Sequence, residues 1–223
     1  MSDTDSFIDE VTEEVRRDRL FAMFRRYGWI AVVVIVLIVG GAAWSEYRKS
    51  QALAQAQKLG DNIIAALSQN EAGERASELS AITAQTPGGG AVLQFMVAAA
   101  QSNSEQTQAA VEGLNSIATN ADLPEIYRQI AAFKALTLQV STLPAAELRL
   151  QFEALAQPGA PLRLLATEQL ALVDIADGQT EAALERLQSI LSDAEVSRDL
   201  QQRVSQVMVA LGGTPEFVPG SQG

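Results

Sequence analysis

From Tyr27 to Ser45 the chain reads YGWIAVVVIVLIVGGAAWS, 19 residues without a charge, bounded by Arg25-Arg26 and by Glu46, Arg48 and Lys49. A helix rising ~1.5 Å per residue over that length spans ~28 Å, close to the ~30 Å hydrocarbon core of a bilayer. The pattern predicts one transmembrane helix over 27–47. Tyr27, Trp29, Trp44 and Tyr47 stand at its two ends, where amphipathic aromatics settle among headgroups. Gly40 to Ala43 would also suit a signal-peptide cleavage site, but a signal's leading region is short and basic. This one is long and carries seven acids. Beyond the run, apolar positions recur at helical spacing as far as 211, with no sustained alternation of the strand type. The fold class expected is all-α, one transmembrane helix followed by an array of helical hairpins.

Prolines and glycines divide the part after the anchor. Pro87-Gly88-Gly89-Gly90, Asp122-Leu123-Pro124, Leu143-Pro144, Pro158-Gly159-Ala160-Pro161 and Asp177-Gly178 read as breaks between helices of about 12–18 residues. The segments resemble one another. TQAAVEGLNSIA at 107–118 and TEAALERLQSIL at 180–191 share seven of twelve residues at a separation of 73. Leu79, Leu114, Phe152 and Leu187 step by 35, 38 and 35, and Ile82, Ile117, Leu155 and Ile190 step identically. These eight, with the small Ala110 and Ala183 that let helices approach, are the expected repeat core. One helical pair cannot bury its apolar face alone, so such units stack.

The first 26 residues are expected to form an amphipathic arm. Ser6 with Asp9 is a capping-box signal, and acids precede arginines along the segment, as suits a helix dipole. Phe21, Phe24, Arg25 and Arg26 are its candidate docking residues, facing the membrane or a membrane partner. Five bases flank the anchor before it (Arg16, Arg17, Arg19, Arg25, Arg26) and three after it (Arg48, Lys49, Lys58). By the positive-inside rule the arm is then cytoplasmic and the large domain lies outside, in the periplasm of a Gram-negative cell.

Composition narrows the chemistry. The chain of 223 residues has no Cys and no His, which removes thiol nucleophiles, imidazole bases and Cys/His zinc sites. No cofactor, metal or catalytic residue is expected. Carboxylate pairs such as Asp174 with Asp177, or Glu181 with Glu185, have ordinary surface spacing. After the anchor stand 20 acidic and 11 basic residues, a net charge of −9, which disfavours nucleic acid as a partner.

Two resemblances carry the reading further. Gly178-Gln179-Thr180-Glu181-Ala182-Ala183-Leu184, followed by Leu187, Ile190 and Leu191, resembles the second-helix half of a tetratricopeptide repeat. The family's terminal Pro and its first-helix Trp-Leu-Gly-Tyr pattern are absent. The resemblance implies a tetratricopeptide-like α-solenoid over 48–211; Gly212 to Gly223, GGTPEFVPGSQG, is expected to be a disordered tail. The whole layout resembles the ancillary SecYEG translocon subunit family, whose domain is also named for a cell-division coordinator. The residues that carry it are Phe7-Ile8-Asp9-Glu10-Val11, Glu13-Glu14-Val15-Arg16-Arg17-Asp18, Leu20, Arg26-Tyr27-Gly28-Trp29 and Trp44.

That likeness implies a non-enzymatic inner-membrane adaptor beside the protein-export channel. Its periplasmic repeats would bind folding factors or emerging clients. Its partners would be proteins, with the bilayer engaged through one helix and no small-molecule substrate. Phe95, Met96, Tyr127, Arg128, Phe133 and Lys134, on first helices, are the candidate groove. An envelope or cell-division scaffold built on the same repeats is the alternative.

Overall fold

The computed structural model describes residues 3–217, with backbone alone for 3–24, 26–28 and 31. Among the described residues there are nine helices and no strand: α1 (Asp3–Leu67), α2 (Ala72–Ala81), α3 (Pro87–Asn103), α4 (Thr107–Ala118), α5 (Glu125–Leu138), α6 (Ala145–Leu155), α7 (Arg163–Ala176), α8 (Thr180–Leu191) and α9 (Arg198–Ala210). The protein is all-α. It divides into two compact units, Met1–Lys58 and Leu59–Gly223.

In the first unit every described residue belongs to α1. The helix is already running at Ser6, so the capping-box reading of Ser6 and Asp9 does not mark its start. It passes through Gly60 without a break. Among the described residues no helix is long and apolar enough to cross a membrane. The apolar run includes positions 27, 28 and 31, whose side chains lie outside the described set.

In the second unit each helix packs on its neighbours in chain order, α2 on α3 through to α8 on α9. Local chemistry sets the boundaries. Pro124 and Pro144 precede α5 and α6 directly. Pro87-Gly88-Gly89-Gly90 differs from the expected break, because it is the first turn of α3. Pro tolerates the N1 position, and Thr86 caps the turn by accepting a hydrogen bond from the Gly89 N–H. α7 ends in a Schellman turn: Gly178 has φ +74°, and the Gln179 N–H donates to the Asp174 carbonyl at 2.8 Å.

The boundaries repeat. Ala72 and Ala145, Asn103 and Ala176, Thr107 and Thr180, Ala118 and Leu191, and Glu125 and Arg198 each stand 73 residues apart. The unit α2–α5 therefore recurs as α6–α9. Burial follows the same offset. One cluster holds Leu79, Leu93, Val97 and Ala100 with Ile63, and its counterpart holds Phe152, Ala166, Leu170 and Val173 with Leu136. A second holds Ala98, Ala110, Leu114, Ile117, Ala131 and Ala135, and its counterpart holds Ala171, Ala183, Leu187, Ile190, Val204 and Met208. Ile82 and Leu155 are only partly buried, since they sit at the C-terminal ends of α2 and α6.

Candidate functional site

On α1, Trp29, Trp44 and Tyr47 are exposed, and the Trp44 and Tyr47 rings lie 6.4 Å apart. Ile30 and every residue of 32–39 are exposed as well. Arg25 is exposed, whereas the side chains of Phe21, Phe24, Arg26 and Tyr27 lie outside the described residues.

The six candidate groove residues do not gather in one cleft. Phe95 stacks on Tyr127, centroids 6.5 Å apart, as part of the first-copy core. Met96 packs against the Leu79 cluster. Arg128 is half-buried, and Lys134 is exposed beside a small hollow with Ser102, Asn103 and Thr137. Only Phe133 reaches a cleft of about 640 Å³ lined by residues of α5, α7 and α9. Its other walls are Leu165, Glu168, Gln169 and Leu172 from α7, and Arg203, Gln206, Val207 and Ala210 from α9. The Phe133 ring meets Phe152 edge-on at 5.9 Å, which ties the cleft wall to the core.

Sequence reasoning missed the α7 and α9 walls. A signal for them exists. Glu168 and Arg203 are 35 residues apart, one repeat step, and they form a bidentate pair at 2.9 and 2.7 Å. Glu168 is buried, and its hydrogen bonds raise the Arg203 pKa further above its ordinary value. The cleft thus joins apolar walls to one fixed ion pair.

Two further charge clusters brace the second copy. Asp174 on α7 is almost fully buried, and both its oxygens are taken: Arg149 of α6 reaches Oδ1 at 3.1 Å and Arg186 of α8 reaches Oδ2 at 2.7 Å. Arg149 also meets Asp177 at 2.7 Å, and that hydrogen bond leads the rise in its pKa. A carboxylate held this way is a structural brace. At the start of α7, Arg163 clamps Asp193 at 2.7 Å and Glu195 at 2.9 Å. The guanidinium, then the Glu195 backbone N–H, hold the Asp193 carboxyl below the ordinary carboxylate range. Glu181 and Glu185 are both exposed on α8. Among the described residues no group of three or more His, Cys, Asp or Glu side chains could hold a metal ion.

Of the expected tail, 212–217 are described. Gly212, at φ +83°, closes α9 with the Gly213 N–H on the Met208 carbonyl, and the Glu216 backbone exchanges two hydrogen bonds with the Gln188 side chain. This stretch is tied to α8. No family model, no curated protein and no solved structure matches the chain.

Proposed function

We propose that the chain is a non-enzymatic adaptor anchored in a bacterial inner membrane beside a SecYEG-type protein-export channel. The arm 1–26 is cytoplasmic, 27–47 spans the bilayer, and the helical pairs after it form a tetratricopeptide-like α-solenoid in the periplasm. The observation that carries the reading is the exposed apolar surface of α1. From Ile30 to Val39 every large apolar side chain described is at least 43 % exposed. A contiguous apolar face of that size marks a membrane or protein contact, and aromatics at both ends suit a lipid interface. The cleft between α5, α7 and α9 supports the second half of the reading. It presents Leu165, Leu172 and Phe133 around the Glu168–Arg203 pair and suits capture of a polypeptide.

Photo-crosslinkers placed at Phe24 and at Trp29 in living cells test the proposal. Adducts to the export channel are expected from both positions, with adducts to folding factors or secreted chains from Leu172. Adducts confined to division proteins would replace the adaptor with the envelope scaffold. Alkaline carbonate is expected to leave the chain in the membrane pellet, and its release would remove the anchor from the account.

A further inference from the structure

The two copies differ at one edge. In the second copy the Arg163 side chain, from the first turn of α7, reaches the α8–α9 loop and bonds Asp193 and Glu195. Asp193 shapes that loop, its Oδ1 accepting the Glu195 N–H at 2.9 Å. The first copy repeats the loop: Asn120 Oδ1 accepts the Asp122 N–H, also at 2.9 Å. Asn120 and Asp122 stand 73 residues before Asp193 and Glu195, and the residue 73 before Arg163 is Gly90. The loop is kept and the arginine is missing.

A hollow of about 460 Å³ lies in the first copy at that edge, lined by Gly90, Gln94, Ser116 and Asn120 among others. A Cβ built on Gly90 meets nothing within 4 Å, so the space opens at the atom from which the second copy's arginine grows. Asp122, whose N–H bonds the lining residue Asn120, does not itself line the hollow; it is exposed and forms no ion pair among the described residues. The hollow shares no residue with the cleft between α5, α7 and α9.

We infer that this hollow receives an arginine side chain carried by another polypeptide, which supplies in trans the guanidinium that Arg163 supplies in cis. Asn120 Oδ1 retains one lone pair for it, Asp122 supplies the charge, and Gln94 and Ser116 add neutral acceptors. The planar fork of a guanidinium suits two acceptors on one loop, as in the Arg163 clamp, whereas an ammonium makes one point contact.

The test uses the full chain in detergent micelles, titrated with acetyl-arginine-methylamide and, separately, with the uncharged acetyl-citrulline-methylamide. The readout is the NMR signals of the Gln94 side-chain amide and the 120–122 backbone. The arginine probe is expected to move them and the citrulline probe to leave them. Asn120→Asp, which restores the second copy's acid, should tighten binding about fivefold, the scale of one partly exposed ion pair. Gly90→Arg should abolish binding by filling the hollow from within. If that variant does not fold, Asp122→Asn serves, with weakened binding expected. Signals that stay still in both the native chain and Asn120→Asp at tens-of-millimolar probe overturn the inference. So do equal shifts with citrulline, or undiminished binding in a folded Gly90→Arg or Asp122→Asn chain.

Discussion

Glu105 stands where the second copy has Gly178, and it is the non-glycine residue with positive φ among the described residues, at +63°. It closes α3 as Gly178 closes α7: the Gln106 N–H donates to the Gln101 carbonyl at 2.9 Å, as the Gln179 N–H does to Asp174. A side chain in this left-handed region costs roughly 1–2 kcal/mol, because its Cβ crowds the following carbonyl. Glycine removes that cost but returns roughly 0.5–1 kcal/mol through the extra freedom of the unfolded chain. The Glu105 side chain is exposed, so its loss sacrifices no packing. Glu105→Gly should therefore stabilise the second unit by about 0.5–1 kcal/mol, a rise of about 1–4 °C in Tm for a unit of this size. Urea unfolding followed by far-ultraviolet circular dichroism measures it, with the midpoint rising and the slope unchanged. Glu105→Ala keeps the Cβ and should stay within about 0.5 kcal/mol of the native chain. Gly178→Ala should lose about 1 kcal/mol or more. A lowered midpoint for Glu105→Gly, or an equal rise for Glu105→Ala, would refute the argument from backbone strain.

Phe152→Ala should cost about 3–5 kcal/mol, because the ring is fully buried and supports Phe133; a loss below about 1 kcal/mol in urea unfolding would contradict its place in the core. Asp193 gives a pH prediction. Its folded pKa is lowered, so its contribution is present above the unfolded value of about 3.9 and is lost as pH falls through the folded value. In Asp193→Asn the loss of stability between pH 7 and pH 2 should shrink by under about 1 kcal/mol, since both partners are partly exposed. Asn120 forms the same loop in the first copy, so the variant should retain the turn; an unchanged acid limb in paired denaturation curves would count against the Arg163 clamp.

The repeat was legible because helix packing imposes period on sequence. Leu114 and Leu187 must face the same neighbours, so the 73-residue offset survives in apolar and small positions. Helix ends were legible where Pro124 or Pro144 fixes them. The α5–α7–α9 cleft was not, because its walls are polar and apolar residues from three helices whose convergence depends on how the pairs stack. Phe95 and Tyr127 are candidate groove residues by sequence, yet each finds the other and closes a core. At that point the copies diverge: the residue 73 after Phe95 is Glu168, which is paired with Arg203. The αL conformation of Glu105 leaves no mark in local composition and emerges only when Gly178 is set beside it.

The buried carboxylate of α7 also discriminates between two look-alike helices. At the sites matching Arg149, Asp174 and Arg186, the first copy has Ala76, Gln101 and Gly113. A chain that docked α4 in the berth of α8 would leave Asp174 with one guanidinium in place of two. The reverse exchange would set Arg186 against Gln101, with no acid to neutralise it. Tandem modules are prone to swapped assembly as they fold, and unmatched charge penalises each swap at its first wrong contact.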